Sequence, residues 1–104
     1  MDSTAFSSLK PGAVIINTAR GPIIDTDALM SALDNGVVSS VGLDVTDPEP
    51  LPKDHPLFTK YGQRVLIVPH IGSATNEART QMVLLAIQHV EEALSQGFVS
   101  HSPI

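Results

Sequence analysis

Three short apolar runs, Val14-Ile15-Ile16, Val41-Gly42-Leu43 and Val65-Leu66-Ile67-Val68, are separated or followed by segments whose apolar residues recur at helical spacing. Continuous apolar runs of this length read as strands covered on both faces, and the spaced segments read as amphipathic helices. Residues 4 to 10 predict the end of a helix, closed by Pro11-Gly12, which cannot continue one. A strand from Ala13 to Thr18 follows, then the turn Ala19-Arg20-Gly21-Pro22. Asp25 or Thr26 caps a helix with Ala28, Leu29, Ala32 and Leu33 on one face and Gly36 as its stop. Val37 to Val45 holds the second strand. Residues 46 to 63 are expected to form a long loop in which Pro48, Pro50, Pro52 and Pro56 forbid regular pairing, and loops of that length usually carry function. Arg64 to Pro69 is the third strand. Ser73 or Thr75 then caps a long helix to Gln96, with Met82, Leu85, Ala86, Val90 and Ala93 at helical spacing and Gly97 ending it.

This order builds a parallel α/β sheet through right-handed crossovers. About three strands with flanking helices amount to half of a doubly wound sheet, with one edge left unpaired. Carboxyl ends of parallel strands share one sheet edge, where ligands bind in such folds. Arg20, Asp44, Glu49 and His70 each follow or end a strand, so they are expected to meet there. An Arg clamps a carboxylate through two parallel hydrogen bonds, and a His beside a carboxylate is held in one tautomer with its imidazolium stabilised. That set suits proton transfer to a small organic acid.

Composition narrows the classes further. At 104 residues with 42% apolar and 16% charged positions, the chain fits one globular domain and no more. A net charge of -5 with only six Lys and Arg argues against a nucleic-acid footprint. The absence of cysteine excludes disulfides, thiolate nucleophiles and thiolate metal sites. No apolar stretch approaches the roughly 18 residues of a membrane span, and the first residues carry no secretory signal, so a cytoplasmic protein is expected. His55, His89 and His101 lack metal-ligand spacing and read as surface or packing residues, so no metal is expected.

Three ordered segments carry a closer resemblance. Ile16-Asn17-Thr18-Ala19-Arg20-Gly21, Gly42-Leu43-Asp44-Val45-Thr46-Asp47-Pro48-Glu49-Pro50 and Pro69-His70-Ile71-Gly72-Ser73-Ala74-Thr75 resemble the substrate-Arg, catalytic-Glu and catalytic-His segments of the D-isomer-specific 2-hydroxyacid dehydrogenases. The segment Leu51-Pro52-Lys53-Asp54-His55-Pro56-Leu57 is most similar to glyoxylate and hydroxypyruvate reductases.

The resemblance implies that the chain is the C-terminal half of a Rossmann-like NAD(P)-binding domain, spanning residues 1–104, of an enzyme moving hydride between NAD or NADP and a small 2-oxo or 2-hydroxy acid such as glyoxylate or hydroxypyruvate. It implies Arg20, Glu49 and His70 as catalytic residues. Thr18, Ala19, Arg20, Asp44, His70 and Gly72 would contact the nicotinamide end of the cofactor, and Arg20, His70 and Ser73 the substrate. It further implies a homodimer in the complete protein.

One departure matters. No G-x-G-x-x-G occurs, so the cradle that holds a pyrophosphate at a helix N-terminus is not in this sequence. The 104 residues are therefore expected to be a fragment or truncated product, inactive alone. Two competing expectations stand beside the enzyme: a non-catalytic dinucleotide-sensing module of corepressor type, since this fold serves both, and an inert folded remnant.

Overall fold

The computed structural model describes residues 1–97, with the element order α1 (Ser3–Ser7), β1 (Ala13–Asn17), α2 (Thr26–Asp34), β2 (Val38–Leu43), α3 (Pro56–Thr59), β3 (Val65–Ile67) and α4 (Asn76–Gln96). A turn of 3₁₀ helix spans Gly21–Ile23. The strands form one parallel sheet in the order β1-β2-β3, the three-stranded parallel α/β sheet that the apolar runs predict. The chain divides into two compact units, Met1–Ile71 and the part from Gly72 onward.

In the first unit, Ile15 pairs with Val41 and Val41 with Val65, while Asn17 pairs with Leu43 and Leu43 with Ile67. These rows face a core completed by Phe6 of α1 and by Leu29, Ala32 and Leu33 of α2. Fully burying a Leu or Val side chain stabilises a fold by about 1.5–3 kcal/mol. Leu29 and Leu33, each 1% exposed, and Val38, fully buried, contribute at that upper scale. The neighbouring row on the opposite face, Ile16-Gly42-Leu66, is uncovered.

Helix α2 starts where the sequence predicts. The Asp25 carboxylate accepts the Ala28 N–H at 2.9 Å, Asp27 places a negative charge in the first turn, and Gly36 beyond the end adopts φ +70°. At the far end of the first unit, Lys60 Nζ meets Asp34 at 2.8 Å. Their hydrogen bond is the main cause holding the Asp34 carboxyl below, and the Lys60 ammonium above, its ordinary pKa.

Three expectations change. Helix α1 ends at Ser7, well before Pro11, and the hydroxyls of Ser7 and Ser8 both donate to Thr4 O, an alternative to continuing the helix. Residues 46 to 63 are not wholly irregular, because Pro56 begins α3 instead of preventing structure. Proline is tolerated in a first helical turn, whose N–H has no partner in any case, and His55 Nδ1 caps the turn by accepting the Leu57 N–H at 3.2 Å. Leu51, Leu57 and Tyr61 then anchor this segment in the core. The strands are also shorter than predicted: β2 ends at Leu43 and β3 at Ile67.

In the second unit, α4 begins at the expected cap, with Thr75 Oγ1 accepting the Ala78 N–H at 3.1 Å, and ends at Gly97. No residue of α4 is buried, including Met82, Leu85 and Val90, which the helical spacing marks as a packing face. His89 is half-buried on this helix. His101 lies outside the described residues. Among those residues no group of His, Asp or Glu could hold a metal ion, and no helix is long and apolar enough to cross a membrane.

Candidate active site

The candidate side chains of the first unit lie in the segments that follow the carboxyl ends of the strands. At the end of β1, Asn17 is the last strand residue and is 3% exposed. Its amide Nδ2 donates to Arg20 O at 2.8 Å and its Oδ1 accepts the Ala19 N–H at 3.0 Å, closing the turn Thr18-Ala19-Arg20. A buried amide that satisfied both its donor and acceptor locally fixes backbone shape at low cost. Thr18, Ala19 and Arg20 are therefore presented outward, all three exposed.

Gly21 follows because nothing larger fits: a Cβ there would lie 2.0 Å from Thr46 O and 2.7 Å from Asp47 N. This contact seats the Arg20 turn directly on the loop that carries Glu49. Arg20 itself makes no ion pair among the described residues, and its guanidinium donates to Ala19 O at 2.7 Å. Of the four charged groups expected at one edge, Asp44, Glu49 and His70 line one cleft, and Arg20 stands on the turn packed against Thr46. Among the described residues no anion holds the exposed guanidinium, and it donates to the carbonyl of its neighbour Ala19 instead.

Asp44, just beyond β2, is 6% exposed, and its N–H continues the ladder to Asn17 O at 2.9 Å. Glu49 sits farther along the same loop, between Pro48 and Pro50. Beyond β3, Val68 N–H reaches Leu43 O at 2.9 Å, and His70 N–H turns back to Val68 O at 3.0 Å across Pro69. This is a three-residue turn. His70 then adopts φ +53°, the one positive φ at a non-glycine residue among those described. Left-handed backbone at a residue bearing a Cβ costs roughly 1–3 kcal/mol and persists only where neighbours hold it. Asp44 Oδ1 accepts the next N–H, that of Ile71, at 2.7 Å.

The consequence of this backbone is side-chain placement. His70 Nδ1 lies 2.8 Å from Glu49 Oε1, with both side chains less than half exposed. An ionised carboxylate only accepts, so Nδ1 carries a proton in this pair. Nε2 is then a lone pair in the neutral ring and an N–H in the imidazolium. A ring fixed in this way alternates between base and acid at a single atom. His70, Glu49, Asp44 and Thr46 line a cleft of about 450 Å³ together with Leu51, Phe58 and Ile67. A mixed apolar and polar cleft of that size suits a small acid or a flat heteroaromatic ring.

His70, Glu49 and Asp44 are brought together as the sequence pattern implies. Thr18, Ala19 and Arg20 form one neighbouring turn, and Gly72 and Ser73 belong to the second unit. Sequence reasoning passed over Asn17, which shapes the Arg20 turn. A polar amide at the end of an otherwise apolar strand was the available signal.

Residues 1–72 match the family model described as D-isomer specific 2-hydroxyacid dehydrogenase, NAD binding domain. Glyoxylate/hydroxypyruvate reductase B of Salmonella newport is 45% identical over 92 residues, which are 88% of this chain and 28% of that protein. Among solved structures, a glyoxylate reductase from Paecilomyes thermophila superimposes with a TM-score of 0.78 at 38% identity, over 95% of this chain and 29% of that one. A D-isomer specific 2-hydroxyacid dehydrogenase from Xanthobacter autotrophicus, solved with NADPH and MES, gives a TM-score of 0.77 at 32% identity, over 91% of this chain and 38% of that one. The chain therefore spans little more than a quarter of the length of the curated relatives it matches.

Proposed function

Because the chain belongs to the D-isomer-specific 2-hydroxyacid dehydrogenase family, we propose that it supplies the proton-transfer and substrate-facing half of a nicotinamide-dependent reductase acting on small 2-oxo acids such as glyoxylate or hydroxypyruvate. The observation that carries this reading is the His70 Nδ1 to Glu49 Oε1 contact of 2.8 Å at the sheet's carboxyl edge.

His70 gives a proton from Nε2 to the substrate carbonyl oxygen during reduction and takes it back during oxidation, while Glu49 keeps the ring oriented and stabilises its charged form. Arg20, with its guanidinium exposed beside that loop, binds the substrate carboxylate through paired N–H donors. Ser73 assists substrate binding. NAD(P)H, when bound, supplies the hydride. The cleft at Asp44 and the outward turn at Thr18 and Ala19 suit its flat nicotinamide end, and the family resemblance assigns Gly72 to the same ligand. Nothing in this sequence offers the glycine cradle that its pyrophosphate would need. We take residues 1–104 as part of one NAD(P)-binding domain, in a protein that is a cytoplasmic homodimer without nucleic-acid or membrane partners. The alternative of a dinucleotide sensor is less well supported, since sensing does not require the oriented His70–Glu49 pair.

The test is a chimera in which this chain replaces the matching 92 residues of the Salmonella reductase. We expect NAD(P)H oxidation dependent on glyoxylate or hydroxypyruvate. His70→Ala should lower kcat by on the order of a hundred- to ten-thousand-fold with little change in cofactor affinity. Arg20→Ala should raise KM as well as lower kcat, since a carboxylate clamp serves ground and transition states alike. Near wild-type turnover in a folded His70→Ala chimera would overturn the assignment. The 104-residue chain alone should bind NADH only weakly in a fluorescence titration.

A further inference from the structure

Asp44 reaches the segment carrying His70 in a way that a role toward the cofactor does not require. The residue is 6% exposed, and its carboxylate accepts the Ile71 N–H at 2.7 Å, a short, charge-assisted hydrogen bond to the residue immediately after His70. On the other side of His70, its own N–H is committed to Val68 O across Pro69, a residue whose ring fixes its backbone. His70 is therefore clamped at both ends, and between the clamps its backbone stands at φ +53°. An unconstrained His at this place would relax to extended or right-handed backbone. Such a rotation about φ swings the Cα–Cβ direction, and the imidazole would leave Glu49.

We propose that Asp44 is a positioning residue for His70: its carboxylate captures the Ile71 N–H and so holds His70 in left-handed backbone, which aims Nδ1 at Glu49 Oε1. The catalytic meaning of that aim rests on the proton-transfer function proposed above, whereas the geometry does not. Asp44 and Glu49 thus act on the same ring from opposite ends, one through the backbone and one through the side chain. The buried position of Asp44 suits this task, because its own backbone N–H is bonded to Asn17 O and ties the carboxylate to the sheet. The acceptor oxygen is what matters. Asparagine retains an oxygen at that position and alanine does not.

The experiment uses the 104-residue chain, isotope-labelled, as wild type, Asp44→Asn and Asp44→Ala, with three magnetic-resonance readouts. These are the strong intraresidue amide-to-Hα Overhauser effect at His70 that positive φ produces, the exchange protection of the Ile71 amide, and the Overhauser contact between the His70 ring and the Glu49 side chain. Wild type and Asp44→Asn should show all three. Asp44→Ala should lose all three together while resonances of Leu29, Leu33 and Leu57 stay native, a local pattern that a general loss of stability would not give. Retention of positive φ and of the ring contact in Asp44→Ala would overturn the proposal, as would their complete loss in Asp44→Asn. If Asp44→Ala fails to fold, Asp44→Asn together with the wild-type Ile71 exchange rate still decides, since an unprotected Ile71 amide in either is incompatible with the clamp. None of these readouts involves turnover, so an inactive chimera would count against the proposed function and leave this result standing.

Discussion

The two faces of the three-stranded sheet are similarly apolar in sequence and unequal in the structure. On one face Val41 and Leu43 are 3% and 5% exposed under α1 and α2, while on the other Val14, Ile16 and Leu66 are 62%, 74% and 66% exposed. Continuous apolar strands are written for cover on both sides, and the first unit covers one. The candidate site stands at the carboxyl edge between these faces and depends on the covered one for its support. Asn17, which shapes the Arg20 turn, pairs with Leu43, and both lie in the buried row.

The contrast can be broken most directly by truncating one residue on each side. Leu33→Ala should destabilise the chain by about 2–5 kcal/mol, since it removes a buried side chain and leaves a cavity. The exposed Leu66→Ala should change stability by no more than about 0.5 kcal/mol. Urea denaturation of both variants measures the difference. Equal losses would mean that the second face is covered in solution.

A milder effect concerns association. Among the described residues the outer edge of β1 has no partner strand in the order β1-β2-β3, and an unpaired apolar edge pairs with other chains. Sedimentation of the 104-residue chain should reveal dimers or larger species, and Ile16→Lys should weaken that association about tenfold or more, the equivalent of some 1.4 kcal/mol. A concentration-independent wild-type monomer would contradict this.

The smallest effect is electrostatic and belongs to the covered side. Since the folded pKa of Asp34 is lowered from 3.8 by Lys60, the pair's contribution is present above that value and lost as pH falls through the folded pKa below it. Since Lys60 is raised from 10.5, its contribution is present below that value and lost as pH rises through the folded pKa above it. Asp34→Asn should therefore flatten the acid limb of a stability-versus-pH curve below about pH 4, leaving the neutral region nearly unchanged because such exposed pairs contribute little.

Much of the fold was legible in the sequence because local rules decide it. Asp25 and Thr75 announce helix starts through their side-chain oxygens, Gly36 and Gly97 mark ends, and three apolar runs in βα order leave a parallel sheet as the natural solution. The same order places Asp44, Glu49 and His70 at one sheet edge, so their proximity needed no coordinates. Pro56 misled because a proline's effect depends on whether it falls inside a helix or at its first turn, which a loop composition does not reveal.

What the chain's order of residues settled by itself is the element sequence, the parallel sheet and the edge on which polar groups collect, all consequences of backbone sterics and hydrophobic period. Only the tertiary structure decided that Gly21 is pressed against Thr46, that Arg20 turns to its own neighbour's carbonyl, and that His70 takes a left-handed backbone with Ile71 bonded to Asp44. The Gly21–Thr46 and Asp44–Ile71 contacts join residues 25 and 27 positions apart, set by the register of strands and the packing beneath them, and no local pattern encodes such distances.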